Sequence, residues 1–247
     1  MQSIESVLSE VKILHCLREL RNNKINKTRN FCRLKSVHVV KGCYPDQMLF
    51  AWDKFDAIKT SCNIRPDIFN EQQLFAVIEM EYGERPDTFC GGQAFSIPSN
   101  GLIITIIDYT LSRLLDNGCI FYNNLADNES LFNQTGDYQF EVYKTLKLHL
   151  NNEWHNCLLY SNVLWLTFLC VKLLELEYSR PSSKKHQVSL KNLEILQHNL
   201  KLSKSAVECL TDCNIIAFIL EESQNSKSKM CTKVKSYWSE IFEIHLI

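Results

Sequence analysis

The chain has 247 residues, of which 45% are hydrophobic and 22% charged, and a formal net charge of −1. That length supports a sizeable core in one large or two-lobed domain, and the composition is that of an ordinary globular protein. The charge balance excludes a generally basic nucleic-acid binder, and the opening MQSIESVLSE lacks the basic start and apolar core of a signal peptide.

Eleven cysteines are scattered singly, with no Cys-x-x-Cys, and Cys209 and Cys213 stand at helical i,i+4 spacing. They read as free buried thiols of a reducing compartment, not as a disulfide scaffold or a zinc site.

In chain order, Ser3 to Leu20 carries apolar residues at helical spacing and predicts an amphipathic helix, followed by a basic, Asn-rich loop from Arg21 to Asn30. Leu34 to Val40 reads as a strand. Pro45 to Thr60 reads as a helix with Met48, Leu49, Trp52 and Phe55 inside. Leu74 to Met80 is a second apolar strand, and the Pro-, Gly- and Ser-rich stretch from Arg85 to Asn100 is expected to be loop. From Leu102 the sequence LIITIID predicts a buried strand ending on Asp108, with Tyr-Thr and a polar helical turn after it.

Phe121 to Gly136 is polar and Asn-rich. Helical patterns follow at Tyr138 to Leu150, Ser161 to Glu177, Leu190 to Leu202 and Ser203 to Leu220, before a linker and an aromatic tail over Glu221 to Ile247. The most apolar stretch, Val163 to Leu176, is interrupted by Lys172 and Glu175 and is too short to span a bilayer, so it reads as a buried helix.

Asp108 is the residue with most chemical meaning. A carboxylate at a strand end projects into a cleft and suits Mg²⁺, which takes one or two carboxylates and leaves the rest of its shell to water and phosphate. The plainer alternative is an aspartate that only starts a turn.

The segments PSNGLIITIIDYTLSRL, GDYQF and YSNVLWLTFL resemble the C-terminal lobe of the haspin family of protein kinases, in which Asp-Tyr-Thr stands where most kinases have Asp-Phe-Gly. SVHVVKGCYP, AWDKFD, RPDIFNEQQLF and VIEMEYG extend the resemblance backward, so that it covers most of the chain. It implies an α+β, protein-kinase-like fold with a truncated small lobe and a mainly helical large lobe. Residues 1–88 would be a partial N-terminal lobe and hinge, 89–100 a junction, 101–220 the C-terminal lobe and 221–247 a tail.

By the same resemblance Asp108 is the magnesium-binding aspartate, and Glu10 is the helix glutamate that pairs with the ATP-binding lysine. Glu79, Met80, Glu81, Tyr82 and Gly83 correspond to the hinge that meets the adenine edge, with Met80 as gatekeeper. Asp137 starts the helix that anchors the large lobe. ATP and Mg are the implied cofactors, and the implied substrate is a threonine in the N-terminal tail of histone three, with Asp127 and Glu129, just before Leu131-Phe132, holding a neighbouring arginine. Nuclear and chromosomal localisation would follow, with neither direct nucleic-acid nor membrane binding.

Several kinase parts have no match. The chain begins at the glutamate-bearing helix, which leaves no sequence for the glycine-rich loop and the lysine. Residues 84–107, between Gly83 and Asp108, hold no His-x-Asp that would supply the catalytic base. His198-Asn199 lies far downstream in a helical segment and is no substitute. The expectation is therefore an incomplete, inactive kinase chain whose missing helices leave apolar surface from Val163 to Leu176 uncovered. The alternative is a pseudokinase-like module that binds a basic peptide or a partner protein.

Overall fold

The computed structural model describes residues 4–24, 28, 30–61, 63–81, 88–90, 93–95, 105–126, 128–178, 181–212 and 244–246. They fall into two compact units, Leu34–Glu81 and the rest of the chain, Met1–Arg33 with Tyr82–Ile247.

In the smaller unit, β1 (Leu34–Lys41) pairs antiparallel with β2 (Leu74–Met80), with Val37 opposite Ile78, His38 opposite Val77 and an irregularity between Leu34 and Ser36. Between them lies α2 (Asp46–Lys59), entered through Pro45 at φ −63°, the angle that its ring imposes. Arg65 donates to both carboxylate oxygens of Asp53 on α2 (2.8 and 3.0 Å) and also binds Asp67, which fixes α2 to a 3₁₀ turn at Pro66–Ile68. Phe75 packs edge-on against Tyr44 and Phe69. The interior expected for α2 does not form: none of its residues is buried, and Phe55 is 54% exposed. A two-stranded sheet offers too little area to cover a helix face.

The larger unit opens with α1 (Ile4–Glu19), whose Ile13, Leu14 and Leu17 are buried. Where the sequence predicts loop, β3 (Thr88–Cys90) and β4 (Gln93–Phe95) form an antiparallel pair. The strand expected to end on Asp108 is also corrected. Residues 101–104 lie outside the described residues, and after them only a single parallel bridge joins Ile106 to Phe31, with Ile107 63% exposed.

The regular strand comes later, where a helical turn is expected: β5 (Ser112–Asp116) pairs with β6 (Cys119–Phe121) and with β7 (Ile244–Leu246) in the order β6-β5-β7. Its turn is Asn117-Gly118, both at positive φ (48° and 77°), the combination that matches the twist of paired strands. The short polar loop beyond it hides this strand from a reading by periodicity.

Helices fill the rest: α3 (Ser130–Asn133), α4 (Tyr138–Leu150), α5 (Tyr160–Glu175), α6 (Lys184–Leu202) and α7 (Ala206–Asp212). α4 has the predicted bounds because both ends are signalled, by the Asp137 cap and by Asn151 in the left-handed region. Its Val142, Tyr143, Leu146 and Leu150 form one face and bury with Leu125, Phe132, Trp154 and Leu164. α6 starts earlier than expected, because the Ser183 hydroxyl accepts the His186 N–H (3.2 Å) and caps it. The helix expected to reach Leu220 is described as far as Asp212.

α5 is not the fully buried helix that its composition suggests. Val163, Leu164, Thr167 and Cys170 face the core, while Leu166, Leu169 and Leu173, with Leu176 just beyond the helix, are exposed. The uncovered apolar surface expected from Val163 to Leu176 is therefore present only in part. The thiols divide as well: Cys32, Cys170 and Cys209 are buried, whereas Cys43, Cys119 and Cys157 are exposed. Among the described residues no helix is long and apolar enough to cross a membrane.

Two leucines on α4 test this packing. Leu146 is fully buried and Leu148 is 78% exposed. Urea denaturation should show Leu146→Ala losing about 2–5 kcal/mol, and Leu148→Ala staying within about 0.5 kcal/mol of the parent.

Candidate functional site

Asp108 lies in a turn built from backbone bonds to a neighbouring segment. The Ile106 N–H donates to the Asn30 carbonyl (2.7 Å), and the Cys32 N–H donates to the Ile106 carbonyl (3.2 Å). Tyr109 folds back over this pair with only 1% of its surface exposed. Its hydroxyl donates to the Ile106 carbonyl and accepts from the Cys32 N–H (3.4 Å). Burial pushes the phenol well above its ordinary range, so it remains a neutral donor.

With Tyr109 pointing inward, Asp108 takes φ 63° and faces outward. Aspartate tolerates that angle because its side chain bonds locally: Oδ1 accepts the Thr110 N–H (3.2 Å). The rest of the carboxylate is open to solvent. Its charge, after burial, is the second cause pushing up the phenol of Tyr143 on α4.

Thr110 is the node of the site. Its amide binds Asp108, its hydroxyl donates to Glu10 Oε2 on α1 (2.9 Å), and its carbonyl accepts from the side-chain amide of Asn123. Two of the residues singled out from sequence, Asp108 and Glu10, thus meet on one threonine. Further along α1, the Ser9 hydroxyl donates to the Tyr122 carbonyl (3.1 Å), and the Cys16 thiol donates to Asp116 Oδ2 (3.5 Å). Sequence reasoning missed Tyr109, Thr110 and Asn123 as structural parts of the site. The available signal was that Tyr-Thr carries two hydroxyls where Phe-Gly carries none.

The other candidates are taken element by element. In the smaller unit Glu79 accepts from the Ser36 hydroxyl (2.8 Å) and pairs with Lys35 (3.5 Å), and these contacts, Ser36 first, hold its carboxyl below the usual range. Met80 ends β2 with its side chain partly exposed, and Glu81 is half-buried. Tyr82, Gly83 and Asp127 lie outside the described residues. Glu129 is exposed at the start of α3. Asp137 accepts the Gln139 N–H (3.0 Å) at the start of α4 and pairs with Lys172 on α5 (2.9 Å). Both contacts lower its pKa, the backbone bond most.

Among the described residues no three His, Cys, Asp or Glu side chains converge on a metal position. Asp108 alone offers a free carboxylate edge in the turn. That donor set fits a magnesium ion arriving with phosphate oxygens and water already in its shell, and does not fit an all-protein cage.

The profile of the haspin-like kinase domain matches residues 97–235, which include the Asp108 turn, β5, β6 and helices α3 to α7. The chain belongs to the haspin-like kinase family. It is 28% identical over 261 residues to the serine/threonine-protein kinase haspin homolog of Drosophila melanogaster, covering 84% of this chain and 46% of the relative. With serine/threonine-protein kinase haspin of Bos taurus it shares 34% over 227 residues, covering 70% and 29% respectively. The Mus musculus protein of that name gives 33% over 227 residues, covering 70% and 30%.

The chain spans less than half the length of these haspin relatives. The fly alignment extends over 261 residues yet uses 84% of a 247-residue chain, so that relative carries several dozen residues within the matched region that have no counterpart here. The mixed architecture of helices and small antiparallel sheets is that of a kinase-like fold lacking part of its complement.

The contacts of α1 and α4 lead to two predictions. Burial first, and then Asp116, push the Cys16 thiol from 9.0 up to about 11. A raised folded-state value means that the contribution is complete below pH 9 and is lost as pH rises toward 11. The thermal midpoint of the parent should therefore fall more steeply across that window than that of Cys16→Ala. At α4, Asp137→Ala should lower the midpoint more than Asp137→Asn, which can still cap the helix but cannot pair with Lys172. The Asp137 carboxylate contribution is present above its ordinary 3.8 and is lost as pH falls below it.

Proposed function

We propose that the chain is the metal-aspartate and helical portion of a haspin-like serine/threonine kinase, whose reaction transfers the γ-phosphate of ATP to a threonine in the N-terminal tail of histone three. As this 247-residue form, it does not transfer phosphate. The observation that carries the reading is the Asp108 turn: its carboxylate is presented outward and tied through Thr110 to Glu10, while residues 84–107 contain no His-x-Asp.

Bound magnesium would neutralise charge on the nucleotide phosphates. Asp108 would hold that ion by its free oxygen. Glu79, Met80, Glu81, Tyr82 and Gly83 would border the adenine, with backbone groups as the hydrogen-bonding partners. Asp127 and Glu129 would take the arginine beside the target threonine through charge-assisted bonds. Loss of a general base alone lowers rate by roughly 10²–10⁴-fold, so positioning without a base leaves binding as the remaining activity. The site of action would be the nucleus and the chromosomes.

A second reading, a non-catalytic module that binds a basic peptide or a partner protein, is favoured by the exposed acidic start of α3 and the uncovered leucines of α5. One experiment addresses both readings. Purified chain with Mg-ATP and a histone-three tail peptide should give no labelled threonine, while fluorescence anisotropy of the same peptide should report binding that Glu129→Lys weakens. Mg-dependent labelling abolished by Asp108→Ala would overturn the inactive form. Absence of peptide binding would overturn the substrate assignment.

A further inference from the structure

The Asp108 turn and α1 share one residue, and that residue is bonded on three sides. The amide of Thr110 is committed to Asp108, its hydroxyl to Glu10, and its carbonyl to Asn123 beside β6. We propose that Thr110 is a positioning residue that makes the conformation of Asp108 and the docking of α1 a single equilibrium: the carboxylate is presented outward only while Glu10 holds the Thr110 hydroxyl.

Three observations support the linkage. Asp108 sits at φ 63°, a left-handed angle that a non-glycine residue keeps only where its surroundings hold it there. The local contact holding it is the Thr110 amide, which is in place only if Thr110 is itself oriented. The hydroxyl that orients Thr110 reaches across to α1, where a carboxylate acceptor makes the bond charge-assisted and stronger than a neutral one.

Two further ties of α1, Ser9 to the Tyr122 carbonyl and Cys16 to Asp116, hold the helix at the β5–β6 hairpin without touching Asp108. They keep α1 folded in a variant that has lost only the threonine hydroxyl. That Asp108 serves a metal rests on the proposed function; the linkage is tested apart from it.

The test is amide hydrogen exchange on the full chain without nucleotide, comparing the parent with Glu10→Ala, Thr110→Val and Thr110→Ser. The Thr110 amide is itself the group bonded to Asp108, so its protection reads the turn directly. Glu10→Ala should speed its exchange roughly tenfold or more, and Thr110→Val should speed exchange in α1 around Glu10 by a similar factor. Thr110→Ser, which keeps the hydroxyl, should restore parent-like protection.

A Thr110 amide as protected in Glu10→Ala as in the parent would overturn the linkage. So would a Thr110→Ser variant exchanging as fast as Thr110→Val, since the threonine methyl would then be the group that matters. Failure of the parent to bind Mg-ATP would sink the nucleotide reading, and the linkage would still stand or fall on the exchange rates.

Discussion

A phenol taken out of water has to satisfy its hydroxyl inside the protein, and Tyr109 does so on the backbone of the segments that it joins. The Ile106 carbonyl and the Cys32 amide lie on two segments joined by an isolated bridge. With the phenol between them they form a small fixed unit, and it anchors the residue that follows Asp108. A phenylalanine at position 109 would supply the same ring and neither hydrogen bond.

The β5–β6 hairpin is the second support. Ser112, Arg113 and Leu114 are all buried, which is unusual for a strand that contains an arginine. The Arg113 Nε donates to the His155 carbonyl (2.8 Å), so the guanidinium links β5 to the connection between α4 and α5. α1 lies on the same hairpin through Ser9, Glu10 and Cys16, and Asp137 with Lys172 joins α4 to α5. Apolar packing supplies the bulk of the core. These few polar contacts decide how the elements are set against one another.

Elements whose signals are local were legible in the sequence. α4 could be read to the residue because a capping aspartate, a single apolar face and a left-handed asparagine all lie within its own span. β1 and β2 were legible from apolar runs bounded by turns. What was not legible depends on partners distant in sequence. Among the described residues just before Asp108, Ile106 alone is bridged, to Phe31, and α2 has a helix's apolar pattern with none of its residues buried. In the candidate site Asp108 could be singled out through its chemistry and Glu10 through the family resemblance. Their meeting on Thr110 could not, because nothing local marks a threonine hydroxyl that bonds a glutamate 100 positions away.

That separation also bears on how the molecule is made. The contacts of α1 with the hairpin span 100 and 113 positions, whereas the hairpin closes on itself through a two-residue turn. During synthesis α1 emerges long before the surface that receives it exists, and it carries Ile13, Leu14 and Leu17 uncovered through that interval. At synthesis rates of about 5–20 residues per second, the wait lasts many seconds. The bond between Glu10 and Thr110 thus closes only after both ends of a long stretch of chain have been made.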